Sequence, residues 1–168
     1  MLADRHDEPF HDRTIASPLP GVPDAAWTKF VQTMAAQPFG FVADKGFFGA
    51  FGFGVRRLVD LKIMKDPMKI EGNWSGTWIV PQEKFMGSPT MQCQALAKSM
   101  DAYRIVIEKK YPRAVGSLID GNRATLSGVL AAAHLCGSVG LGKWLANPQF
   151  RQTFAHVTAG FSRANSIF

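Results

Sequence analysis

Between Gly40 and Gly54 the chain places five glycines and five phenylalanines in fifteen positions, GFVADKGFFGAFGFG. A helix does not tolerate glycine at that density, because each one costs about 1 kcal/mol relative to alanine. Short strands joined by tight turns do, since glycine permits positive φ and close backbone approach while phenylalanine favours a pleated, half-buried surface. The segment therefore predicts two or three short strands. It is not a nucleotide loop: Gly49, Gly52 and Gly54 do not form GxGxxG, and no Lys-Ser or Lys-Thr follows.

The rest of the chain carries helical periodicity. Asp24 is a natural N-cap for a helix through AAWTKFVQTMAAQ, where Trp27, Phe30, Val31 and Met34 make one apolar stripe and Pro38 stops the run. A second helix is expected from Val55 to about Met64, with Val55, Leu58, Val59 and Leu61 inward and Arg56, Arg57, Asp60 and Lys62 outward. From Asp66 to Met86 the chain is loop-rich, and EGNWSGTW offers Trp74 and Trp78 either as a sugar or peptide platform or as caps on the core. Ser88 and Pro89 open a long helix to about Lys110. Thr125 to Cys136 reads as a buried helix, followed by a glycine turn (GSVGLG), a helix KWLAN, and one further short helix with a tail. Residues 1–23, with SPLPGVP and no apolar period, read as an N-terminal arm, and residues 24–168 as one domain. The expected class is mainly α (α+β): a helical domain with a small Gly/aromatic sheet after the first helix.

Composition limits the function classes. With 46% hydrophobic and 19% charged residues over 168 positions, neither a disordered chain nor a coiled coil fits. The polar start MLADRHDEPFHDR resembles no secretory signal, and no apolar run reaches membrane-spanning length, so a soluble chain made in the cytoplasm, without membrane insertion, is expected. The net charge of +6 favours anionic partners such as nucleic acid, anionic lipid or an acidic cell-wall polymer, and does not choose among them. Its scattered Lys and Arg, without a run of five, argue against nucleic acid. Cys93 and Cys136 cannot build a disulfide framework, though one bridge could form if their helices touch, and neither belongs to a CxxC or CxxH pair that would hold a metal. His134 lies two residues before Cys136, which points the two to different sides of a helix and argues against a Cys-His nucleophile.

Four segments together resemble a known family. GFFGAFGFGVRRLVDL, NWSGTW, FMGSPTMQCQAL and LSGVLAAAHLCGSVGLGKWL, spanning roughly residues 27 to 146, are similar in kind and order to motifs of the lysozyme superfamily. The nearer resemblance is to the lysozyme-like peptidoglycan glycoside hydrolases that occur as bacterial type VI secretion effectors, as ends fused to VgrG spike proteins, and in phage tails.

The resemblance implies an antibacterial toxin that cleaves peptidoglycan glycan strands in the periplasm of a target bacterium. It also implies no metal or organic cofactor, and a cognate immunity protein in the producing cell. The chemistry needs a carboxylic acid to protonate the leaving oxygen and often a second carboxylate. The family pattern puts the first acid at the end of the first helix, near Met34, yet no glutamate occurs between Glu8 and Glu71. Gln32 and Gln37 flank that place as isosteres of the missing acid. Asp44 resembles the second acid of goose-type lysozymes, and Glu71 could also reach a groove. Phe51, Gly52, Phe53 and Trp74 are the candidates for lining it, Gly52 standing where the family has glutamine. His134 matches the family's helix histidine and reads as structural. Two alternatives stay open: a catalytically degenerate peptidoglycan-binding or adaptor domain of the same fold, and a cysteine amidase using Cys93 or Cys136.

Overall fold

A computed structural model describes residues 13–43, 46–65 and 77–168. It is mainly helical with two small antiparallel sheets, the α+β class that the periodicity predicts. Helix α1 (Asp24–Met34) buries the expected stripe of Trp27, Phe30, Val31 and Met34. Asp24 does not cap it, because the N-cap position is Pro23 and makes no side-chain bond. The Asp24 carboxylate instead accepts from the Ser17 N–H at 2.8 Å, and Thr28 Oγ1 accepts from the Ile15 N–H at 2.8 Å. These bonds lay residues 15–19 along α1 and press Leu19 into the core at 3% exposure. The later part of the arm is thus packed onto the domain.

The glycine-aromatic segment forms three strands, β1 (Val42–Ala43), β2 (Phe47–Phe48) and β3 (Phe53–Gly54), in the order β1-β2-β3. The register pairs Phe48 with Phe53 and Phe47 with Gly54. Residues directly opposite share a sheet face. Phe48 and Phe53 accordingly face inward and are buried, while Phe47 faces outward.

Helix α2 (Val55–Asp60) follows without a break and is shorter than its periodicity predicts. Leu58 is buried, whereas Val55, Val59 and Leu61 are only half-buried. Arg57 departs from its expected outward position: its guanidinium lies 4.2 Å over the Tyr103 ring. A bridge between Met64 and Trp78 brackets residues 66–76. Trp78 packs edge-on against Phe48 at 5.1 Å and meets Phe85 at 5.9 Å, so it caps the core. Helix α3 (Gln82–Met86) leads to α4 (Pro89–Lys110), whose Ser88 cap accepts from the Met91 N–H at 3.2 Å, as the Ser-Pro start predicts.

Strands β4 (Leu118–Ile119) and β5 (Asn122–Arg123) form a hairpin outside the predicted elements. Its turn, Asp120-Gly121, has both residues at positive φ, the geometry for which Asp-Gly is suited. The predicted glycine turn after Cys136 shrinks to one residue. Helix α5 (Leu126–Ala146) breaks only at Gly137, with φ 72°, and resumes at once. By length and composition α5 could cross a membrane, but it is broken at Gly137 and its first half, from Ser127 to Ala133, is buried in the domain against α4 and the last helix. The end of the chain holds two helices where one was expected, α6 (Pro148–Thr153) and α7 (Ala155–Ala164). Arg151 of α6 is buried, donating to the Trp144 and Leu145 carbonyls that end α5 and to the Asp120 carboxylate of the hairpin.

The sheet is joined to this helical body through Gln92, which is fully buried in the first turn of α4. Its Oε1 accepts from the Ala50 N–H at 3.0 Å, and its Nε2 donates to the carbonyls of Phe39 (2.9 Å), Phe85 (3.2 Å) and Met86 (3.2 Å). Gly49 has φ +76°, and a Cβ there would strike the Gln92 carboxamide, lying 2.8 Å from Cδ. Gly52 also has positive φ but faces open space. Gly49→Ala should therefore combine backbone strain with a buried clash and cost about 2–4 kcal/mol. Gly52→Ala should carry the strain alone, about 1–2 kcal/mol. Urea denaturation of the two variants measures the difference, and equal losses would remove Gln92 from the explanation.

Candidate functional site

The place to which the sequence assigns chemistry is where the end of α1 meets the β2–β3 turn. After α1 the chain turns back, and the Gln37 N–H donates to the Ala50 carbonyl at 3.2 Å. The Gly49 N–H donates to the Phe41 carbonyl at 2.8 Å, and the Gly52 N–H closes the turn on the Gly49 carbonyl at 3.1 Å. Helix end and sheet are therefore neighbours through several backbone bonds.

The candidate residues divide into three groups. Gln32 and Gln37 are exposed, one on the outer side of α1 and the other in the connection to β1. Asp44, Glu71 and Trp74 lie outside the described residues. Phe51 and Phe53 are corrected: at 3% and 0% exposure their rings are core and cannot line a sugar groove. They pack edge-on to each other, and Phe51 meets Phe39 while Phe53 meets Phe85 and His134. Desolvating five neighbouring rings stabilises the sheet more than presenting them to a ligand would. Gly52 is half-buried at the rim of the turn.

The exposed aromatic of this region is Phe47, at 46% exposure, with its ring 3.6 Å from where a Cβ on Gly54 would stand. Strand alternation was the available signal, since of two adjacent phenylalanines in a strand one must face outward. Gln92 was also missed as an individual residue. Its signal was a polar side chain on the buried face of α4, in line with Leu96, Ser99 and Tyr103.

His134 is half-buried on α5 and reaches the turn, with Nε2 at 2.6 Å from the Phe51 carbonyl oxygen. A carbonyl only accepts, so Nε2 carries the proton and the neutral ring presents a lone pair at Nδ1. Burial lowers the His134 pKa and the Arg57 charge lowers it further, against the opposing effect of the Phe51 carbonyl. This is a histidine held neutral by its surroundings and used as a strut.

The six described carboxylates sit elsewhere: Asp24 in the first turn of α1, Asp60 on α2, Glu83 on α3, Asp101 and Glu108 on α4, and Asp120 in the β4–β5 turn. None stands at the end of α1 or on the three-stranded sheet. Among the described residues no three His, Cys, Asp or Glu side chains group as a metal site. A cavity of about 450 Å³ opens on the α6–α7 face, lined in part by Asp120, Arg151, Thr158 and Ser162. It contains none of the candidate residues.

Both cysteines are free thiols. Burial pushes each of them up to about 12, and Cys136 also donates to the Ala132 carbonyl at 3.0 Å. A thiol held protonated is a poor nucleophile. Comparison with protein-family models, curated proteins and solved structures returns no match to this chain. The cysteine assignment makes a direct prediction. Native protein at neutral pH should react with a thiol-disulfide probe at least about tenfold more slowly than the urea-unfolded chain. Fast stoichiometric labelling of the native form would contradict the burial of these two side chains.

Proposed function

We propose that this chain acts on the glycan strands of peptidoglycan as a lysozyme-like glycoside hydrolase, delivered as an antibacterial toxin to the periplasm of a target bacterium. The observation that carries the reading is the seam between the end of α1 and the β2–β3 turn, closed by the Gln37 N–H on the Ala50 carbonyl. It joins in space the end of α1, where the resemblance implies the first acid, and the sheet that carries the first of the four motifs. The glycan would lie along that seam, with Gly52 and the exposed Phe47 ring beside it. The net charge of +6 favours approach to an anionic wall polymer. A cognate immunity protein would cover the seam and be acidic where it touches the basic toxin.

In this reading Asp44 supplies a carboxylate to stabilise the oxocarbenium-like transition state or to activate water, and Glu71 is the next candidate acid. A second reading, a binding or adaptor domain without cleavage, is favoured by one specific observation: the end of α1 presents Gln32 and Gln37, and none of the described carboxylates is there.

Mass spectrometry of muropeptides released from purified sacculi separates the two. The hydrolase reading expects release by the wild-type chain and a loss of about 100-fold or more in Asp44→Asn. Equal release by both would move the acid to Glu71, tested by Glu71→Gln. Sacculus binding without release selects the second reading. In that case release gained by Gln32→Glu or Gln37→Glu would mark the position of the lost acid. Neither binding nor release would remove both.

A further inference from the structure

The β2–β3 turn is gripped by three elements. Gln92 of α4 takes the Ala50 N–H, the Gln37 N–H takes the Ala50 carbonyl, and His134 of α5 takes the Phe51 carbonyl. Two of these grips are amides and do not titrate. The third is an imidazole whose Nδ1 is shut from solvent and has no hydrogen-bond partner. Charging this ring means placing a proton on Nδ1, so what surrounds the ring decides the outcome.

From α2 it faces Arg57, whose Nε is also buried and unpartnered and whose charge reaches His134. Asp60, on the same helix, stands 3.8 Å from Arg57 and is mostly exposed. Tyr103 of α4 lies beneath the Arg57 guanidinium, and Ser99 stands one turn earlier on the buried face of α4. Cys136, two residues along α5, acts on Tyr103, and from the sheet the Phe53 ring stands perpendicular to the imidazole with centroids 5.7 Å apart. Tyr103 and Cys136 are both raised by burial and stay neutral through the acid range. Among the described residues the charge that acts on His134 is that of Arg57 and no carboxylate is buried, so an imidazolium there is uncompensated.

We propose that His134 is a positioning residue for the glycan seam: its neutral imidazole holds the Phe51 carbonyl, and with it the Gly49–Gly52 turn, against the helical body, and acidification releases the turn. This deepens the peptidoglycan reading and rests on it, because the turn borders the seam assigned to the glycan. The sign follows from the direction of the shift. A base whose folded pKa is depressed below its ordinary 6.5 contributes its full stabilisation above 6.5 and loses it as the pH falls toward the folded value. The seam is then ordered near neutrality and loosened in acid.

The test is amide hydrogen exchange at Gly52, whose N–H closes the turn, followed by NMR on the full chain together with the His134 ring resonances. In the wild type, exchange corrected for its intrinsic pH dependence should quicken about tenfold, the equivalent of one ordinary hydrogen bond, over the range in which His134 titrates. His134→Gln keeps a donor without a titration and should stay slow and flat with pH. His134→Leu, which removes the donor, should exchange fast at all pH values. Sacculus binding should fall with the same midpoint in the wild type and not in His134→Gln. Slow Gly52 exchange in His134→Leu, or acid quickening retained in His134→Gln, would overturn the proposal. Should the leucine variant fail to fold, the glutamine variant decides alone. If no variant binds sacculi at any pH, the peptidoglycan reading falls while the exchange data still judge the strut.

Discussion

One buried carboxamide joins the two halves of this protein. Gln92 has no exposed surface and bonds to three separate stretches of backbone: the connection after α1, the β2–β3 turn and the end of α3. A buried amide left without partners costs about 1–3 kcal/mol per polar group, so this arrangement is stable only when all the bonds form together. The strands of the first sheet are two residues each and could not hold a fixed orientation by their own ladder. Their position relative to α1 is set by Gln92, and that in turn forbids a side chain at Gly49. The seam inherits its shape from this constraint.

The phenylalanines show how the same constraint divides binding from packing. A small sheet without long ladders needs apolar burial to stay docked, and Phe48, Phe51 and Phe53 supply it, each ring worth about 1.5–3 kcal/mol when fully buried. That use removes them from ligand contact. Beside them the turn leaves backbone, the half-buried Gly52 and the exposed Phe47 ring at the surface. Arg57 is drawn inward onto Tyr103, and burial lowers the pKa of His134.

Much of the helical scaffold is legible in the sequence because its signals are local. The stripe of α1, the Ser88-Pro89 start of α4 and the density of glycine in the sheet each act within a few residues, and the elements form where they predict. The misses share a different cause. Arg57 looks outward on a helical wheel, yet an aromatic face on a helix far along the chain draws it in. Gly137 sits among several glycines, and only tertiary packing decides that one residue breaks the helix while Gly140 and Gly142 continue it. Asp120-Gly121 is the exception: its turn chemistry was readable on its own, flanked by strands too short to show alternation. At the candidate site, composition exposed the absence of an acid at the end of α1 but could not tell which aromatics face inward. Burial depends on register, and a shift of one residue exchanges the faces.

The choice between cleavage and binding then turns on desolvation. Protonating a glycosidic oxygen near neutral pH requires a carboxyl group raised by an apolar enclosure, and the end of α1 offers such an enclosure only on its inner side, where Phe30 and Met34 are buried. Gln32 and Gln37 lie on the exposed side, where a carboxylate would gain such an enclosure only from a bound glycan. In the hydrolase reading, an acid enclosed by the protein alone is therefore sought elsewhere in the sequence. Asp44 follows β1 in the sequence and Glu71 lies in the sequence between Met64 and Trp78, both outside the described residues. In the hydrolase reading, the acid is whichever of these two carboxylates the bound glycan shields from solvent.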